Sequence, residues 1–268
     1  MQLNILMLSK TIYVNGVSVV APGMEIPDEL QGILKNNIKW IPIELSRMKP
    51  SALPANEARR TTTVIRLALK VIEAIEYEPN TSIVFASSEG DLDITDKICK
   101  ALATKEKMVS PTLFHNSVHN APAGYFSIAA NMKTPSVSLS AGDNTFSAGL
   151  IEAASQVLVE SRDVLLVSYD NTTPADLNDF RHFDYPVSIA LLLSTSKKSS
   201  TVSSINISVV SEKVDITQCF NDSLETLRVG NPIGLGLPLI ESLVQGIDAE
   251  IVIPYLNQNQ VLVKVSNV

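Results

Sequence analysis

Thr134-Pro135-Ser136-Val137-Ser138-Leu139-Ser140-Ala141-Gly142-Asp143-Asn144-Thr145-Phe146 is the stretch whose reading decides the fold. Pro135 punctuates the chain, and Ser136–Ser140 alternates polar and apolar residues as a short strand does. Ala141 and Gly142 allow a tight turn. Asp143 and Asn144 are helix-starting residue types, and Asn144–Val159 reads as one long helix. The apolar run Val164–Tyr169 that follows is a buried strand. A strand, a tight turn, a long helix and a second strand form one unit of a layered α/β domain.

Working outward, the same alternation continues. Upstream lie a strand at Ser82–Ser87, a helix from Asp91 to Thr104 and a helix from Asn120 to Ala130. Val64, Leu67, Ala68, Val71, Ile72 and Ile75 recur at helical spacing in a helix that Asn56 is expected to cap. Ile12–Val20, closed by Ala21-Pro22-Gly23, reads as an early strand, with a short helix at Pro27–Leu34. Strands rich in Val, Ile and Leu between helices predict a mostly parallel central sheet covered on both faces. Downstream, Val187–Ser194 and Ile205–Val210 flank a polar stretch and are expected to form a hairpin. Helices near Leu224 and at Leu237–Val244 and strands at Ile251–Ile253 and Val261–Val265 complete the chain. The expected organisation is one domain over residues 1–212, with 213–268 appended and packed on it.

With 268 residues and 45% hydrophobic content, the chain can bury a sizeable core. Its 21 basic and 28 acidic residues leave a formal charge of −7, which argues against a nucleic-acid or anionic-membrane partner. Apolar runs such as Val187–Leu193 are too short to span a bilayer. The apolar start lacks the basic region and cleavage site of a signal peptide. A cytoplasmic location is therefore expected, and Cys99 and Cys219 are expected to be reduced.

Three histidines limit the chemistry. His115 and His119 are spaced i, i+4, but Asn116, Ser117 and Val118 between them supply no carboxylate, so the pair falls short of a zinc site and reads as polar packing at a loop-to-helix junction, with no cofactor expected. No Gly-x-Ser-x-Gly elbow occurs. Gly230, Gly234 and Gly236 are interrupted by Pro232 and Pro238 and read as a turn before a helix.

From Leu113 to Asp170 the chain resembles the N-terminal half of β-ketoacyl synthases, where a Pro-Ser-hydrophobic strand leads to an Ala-Cys nucleophile at the start of a buried helix. The spacing holds without a gap from Asn120 through Gly124 and Pro135 to the strand beginning at Asp163. Val14–Pro22, Arg59–Leu69 and Ile83–Ser88 extend the resemblance more weakly. Val118-His119-Asn120 with Ala141–Phe146 is similar to a short ketosynthase-like family of aryl polyene pigment clusters, regarded as chain-length-factor-like partners of a full ketosynthase. The resemblance implies a thiolase-like α/β fold with a truncated second half.

In that register Asp143 stands at the position of the nucleophilic cysteine. A carboxylate is a poor nucleophile towards a thioester, and it is expected instead to cap the amides of Thr145 and Phe146. The family draws two further histidines from its second half, and no histidine follows His182 here. The resemblance therefore implies a non-catalytic subunit that heterodimerises with a full-length ketosynthase and meets acyl carrier protein through that complex. Leu113, Phe114, Asn116, Asn120, Ser138, Asp143 and Phe146 would form its interface and shape the acyl tunnel. Tyr125 and Phe126 either join them or fill the core. The competing reading is a diverged hydrolase or decarboxylase using Asp143 with His115 or His119.

Overall fold

The computed structural model describes residues 6–7, 10–36, 38–46, 48–50, 52–211 and 213–268. Among the described residues nine strands form one mixed sheet: β1 (Leu6–Met7), β2 (Ile12–Val20), β3 (Ser82–Ala86), β4 (Ser136–Leu139), β5 (Val164–Asp170), β6 (Val187–Ser194), β7 (Ser203–Val210), β8 (Ala249–Pro254) and β9 (Gln260–Ser266). Their order is β4-β3-β5-β6-β2-β7-β9-β8, with β1 beside β7. The helices are α1 (Pro27–Lys35), α2 (Ala55–Ala58), α3 (Thr63–Lys70), α4 (Leu92–Ala103), α5 (Pro111–Asn116), α6 (Ala121–Ala130), α7 (Thr145–Glu160), α8 (Glu225–Val229) and α9 (Leu237–Gln245).

Parallel pairing is confined to β3 with β4 and β3 with β5; β5 pairs antiparallel with β6, and β6 with β2. The expected mostly parallel sheet is thus corrected to a mixed one. Continuous apolar runs signal two-sided burial, and they do not encode direction. The expected hairpin of Val187–Ser194 with Ile205–Val210 does not form either, because β2 lies between β6 and β7. β2 meets β7 only at Ile12, Tyr13 and Val14. Beyond that short junction β7 runs on to pair with β9, and β9 with β8. Residues 213–268 therefore supply two strands of the same sheet.

Helices flank both faces. On one, α3 and α6 cover β3, β5 and β6 through Val64, Ile65, Ala68, Phe126, Phe85, Leu165, Val167 and Tyr169. On the other, α1, α7 and α9 join β2, β5, β6, β7, β8 and β9 in a larger core containing Phe146, Leu150, Leu166, Leu191, Ile240 and Val263. Full burial of each Leu, Ile, Val or Phe side chain contributes roughly 1.5–3 kcal/mol before chain entropy is set against it. α7 lies close on β3 and β5 because Gly149 has no side chain: a Cβ there would stand 2.9 Å from the Cβ of Ala86.

The helix expected to start at Asn56 is broken in two. Thr62, extended at φ −90 and ψ 174, accepts from the Ile65 amide through its side chain and starts α3 afresh. Asn56 lies inside α2 and bonds the Glu57 carboxylate. A competing cap nearer the apolar stripe took the start.

Candidate functional site

Strands β3, β4 and β5 run parallel, so their carboxyl ends open on one side of the molecule. Crevices at such ends are the usual ligand positions of open α/β sheets. The residues there are Ser87 and Ser88 after β3, Ser140–Asn144 after β4, and Asp170 at the end of β5. Asp170 is fully buried. Its carboxylate accepts from the Ser87 hydroxyl at 2.7 Å, from the Ser88 amide at 3.1 Å and from the Ser88 hydroxyl. Burial pushes its pKa up to about 6, the serine hydrogen bonds opposing that rise. Ser88 and Ser87 in turn anchor neighbouring loops. The Ser88 carbonyl accepts from the Ser140 hydroxyl at 2.7 Å, and the Ser87 carbonyl lies 3.0 Å from Nε2 of His119.

The turn after β4 closes on Thr145 rather than on Asp143. Oγ1 of Thr145 accepts from the Ala141 amide at 2.9 Å and donates to the Gly142 carbonyl at 2.7 Å, and Gly142 takes the left-handed φ of 57° that glycine tolerates. The expected Asp143 cap is therefore overturned: no side-chain cap bond is made at the start of α7 or of the 3-10 turn Gly142–Asn144. The Asp143 side chain is 66% exposed and lies 2.5 Å from Nη1 of Arg181, whose Nε lies 2.7 Å from Glu89. The same guanidinium sits 4.6 Å over the Phe183 ring. One arginine thus ties together the loops after β3, β4 and β5. Arg181 carries no apolar or spacing signal, and its two acidic partners lie far from it in sequence.

The other expected site residues divide. Phe114 (70% exposed) and Asn120 line a surface groove of about 490 Å³ with Glu57, His115, Val118, Gly124, Tyr125 and Ile128. Leu113 is half-buried on the same helix α5. Asn116 is buried, donating to the Arg60 carbonyl at 2.7 Å and accepting from the Tyr125 hydroxyl at 3.1 Å. It fixes α5 to α6. Ser138 is half-buried on β4 opposite Phe85. Phe146 is fully buried, and Gly236 lies flat on its ring: a Cβ on Gly236 would stand 2.8 Å from Cε1 and nearer still to Cζ. Phe146 therefore fills the core at this end of α7. Tyr125 and Phe126 are buried too, Phe126 packing 6.0 Å from the Phe85 ring.

His115 lies in the last turn of α5 and His119 lies beyond the helix, so the i, i+4 pair does not share a helix. No group of three or more His, Cys, Asp or Glu able to hold a metal occurs among the described residues. No helix among them is long and apolar enough to cross a membrane. Both cysteines are free, Cys99 exposed and Cys219 buried.

This strand order, with a buried helix starting behind β4 and the Asp143 turn at its head, defines a thiolase-like ketosynthase fold. A sequence profile of the β-ketoacyl synthase N-terminal domain matches residues 34–228, and the chain belongs to that family. No curated protein sequence matches it. Among solved structures it is similar to one of a ketosynthase (ApeO) in complex with its chain length factor (ApeC) from Xenorhabdus doucetiae, with a TM-score of 0.71 and 22% identity over 95% of this chain and 99% of that one. A type II polyketide synthase acyl-carrier protein in complex with its hexaketide-bound ketosynthase (AntDE:AntF) gives a TM-score of 0.71 at 12% identity, over 97% of this chain and 99% of that one. The ketosynthase of module 1 of the bacillaene synthase from Bacillus amyloliquefaciens gives 0.52 at 16% identity, over 82% of this chain and 50% of that one.

Proposed function

We propose that this chain is a chain-length-factor-like, non-catalytic subunit that pairs with a full-length ketosynthase. The observation that carries the proposal is the β4 edge. β4 ends the sheet, its outer side meets no other strand among the described residues, and Phe114, Val118 and Ile128 stand exposed on the adjoining crossover. An unpaired edge beside exposed apolar side chains is a pairing surface. The chains matched in the ApeO/ApeC and AntDE:AntF complexes are spanned almost end to end, whereas the bacillaene ketosynthase is half covered. That favours a short partner subunit.

Independent condensation needs a thiolate nucleophile and donors for the developing oxyanion. Asp143 stands where the family places the thiol, it is held in an ion pair with Arg181, and no histidine follows His182. The ketosynthase would then perform decarboxylative condensation on a carrier-bound acyl or polyenoyl chain, of the aryl polyene or a fatty-acid-like type, in a cytoplasmic complex. Leu113 and Phe114 on α5, braced by Asn116, would reach the neighbour's acyl tunnel and limit its length, with Asn120 and Ser138 in the interface. Carrier protein would dock chiefly on the ketosynthase, since an acidic chain repels an acidic partner.

The test is co-expression with the cognate ketosynthase, size-exclusion chromatography and a malonyl condensation assay. A stable complex is expected, active with wild-type or Asp143→Ala chain alike. A ketosynthase equally soluble and active alone, with no complex eluting, overturns the reading. Turnover by the purified chain that is lost in Asp143→Ala would establish the hydrolase or decarboxylase reading instead.

A further inference from the structure

A small recess of about 10 Å³ lies between β5, α3, the start of α4 and the α5–α6 crossover, lined among others by Ile65, Asp91, Asn116, His119, Ala121 and Tyr169. That is the space of a single water molecule. Two of these residues carry polar atoms shut off from solvent. The Tyr169 side chain is fully buried, and its hydroxyl finds no hydrogen-bond partner among the described residues. Asp91 caps α4, its Oδ1 accepting from the Ile94 amide at 3.1 Å, while its Oδ2 is buried and likewise finds no partner among them.

The unpaired atoms, more than the space, define what fits. A hydroxyl or a carboxylate oxygen left unpaired at depth is costly. A phenol can donate, whereas a carboxylate only accepts, so the pair calls for a group that accepts one hydrogen bond and donates another. An apolar ligand does neither. A hard cation wants six or more oxygens, and the other polar side chains of the recess are engaged elsewhere. Asn116 serves the Arg60 carbonyl and the Tyr125 hydroxyl, and Nε2 of His119 lies 3.0 Å from the Ser87 carbonyl. Electrostatics agrees with a phenol that keeps its proton: burial pushes Tyr169 up, and the nearby Asp170 and Asp91 add to the rise. Burial raises Asp91 as well, opposed by the nearby Thr62 hydroxyl and the Ile94 amide.

We propose that one ordered water occupies this recess, accepting from the Tyr169 hydroxyl and donating to Oδ2 of Asp91. It joins the end of β5 to the cap of α4 beneath the α5–α6 crossover. The Phe85 ring packs edge-on against Tyr169 at 6.3 Å, so the side chain is held by apolar contact at its ring and by water at its tip. Tyr169 is then a polar anchor as well as part of the core.

The test uses the full-length chain with Tyr169→Phe, which removes only the hydroxyl, and Asp91→Asn, which keeps a capping oxygen. A crystal structure that resolves ordered solvent is expected to show one density peak about 2.7–3.2 Å from both atoms, lost or displaced in Tyr169→Phe. That variant is expected to lower the melting temperature by about 2–6 °C, and by less when Asp91→Asn is already present, since the two residues share one water. A recess without density overturns the inference. So does a Tyr169 hydroxyl placed directly on Oδ2 with no solvent between. A peak ringed by oxygens at about 2.3–2.6 Å marks a cation and overturns it too. A melting temperature that rises in Tyr169→Phe does the same, because it marks a hydroxyl buried without any partner. Every readout is made on the isolated chain, so none depends on a ketosynthase.

Discussion

Asp170 gives the sharpest test of the site's electrostatics. The buried carboxyl releases its proton at about 6 in the folded chain and near its ordinary 3.8 once unfolded. Between those values the folded state binds more protons than the unfolded one, so stability falls as pH rises, and the whole cost is present above about 6. At about 1.4 kcal/mol per pH unit the gap amounts to about 3 kcal/mol. Asp170→Asn keeps the shape and an acceptor for the Ser88 amide but has no proton to lose. Urea unfolding of wild type and variant at about pH 4 and about pH 7.5 isolates this group, because every other titration cancels in the difference. The variant is expected to gain about 2.5 kcal/mol on wild type between the two conditions, because the unfolded carboxyl is already partly ionised at about pH 4. A difference between the two proteins that stays constant within about 0.5 kcal/mol across that range would refute the assignment of the cost to Asp170.

Three further outcomes are expected. Gly236→Ala drives a methyl group into the Phe146 ring and is expected to lower unfolding free energy by about 1–3 kcal/mol; a second substitution, Phe146→Leu, is expected to recover part of it in a double-mutant cycle. Glu241, fully buried, accepts from the Phe220 and Asn221 amides at 2.8 Å each, so Glu241→Ala strands two donors and is expected to cost about 2–5 kcal/mol in chemical denaturation. A thiol-reactive chromophore is expected to titrate Cys99 at once and Cys219 only on unfolding, because burial and the neighbouring Glu241 and Glu225 push the Cys219 thiol well up; immediate reaction of both would contradict the packing.

The local elements were legible because their signals are local. Val164–Tyr169 and Val187–Ser194 read as strands, the second as a hairpin arm, and both are strands fully buried in the fold. The 134–146 segment likewise placed β4, its turn and α7 where they stand. Pairing was not legible, since the insertion of β2 between β6 and β7 joins residues from opposite ends of the chain. The same limit applies at the site. Asp143 at a helix start reads as a cap until Arg181 arrives from the loop after β5, a contact no spacing rule anticipates. Phe146 enters the tunnel set only through the resemblance, whereas its full burial in the core and the approach of Gly236 show that it faces inward. Asp170, which ends an apolar strand, carried a signal that could have been used: an acid in such a run has to find donors.

The edge formed by Ser136–Leu139 has a consequence for how the protein can be made. The strand contains no charge and no proline, so its brevity is its main defence against recruiting foreign strands. On the proposed subunit reading, a chain made without its partner would carry that edge together with exposed Phe114, Val118 and Ile128, the features through which surplus chains clump and are cleared by chaperones and proteases. Matched synthesis with its mate would keep the edge covered, and gene dosage, as much as sequence, would set how much of the chain survives.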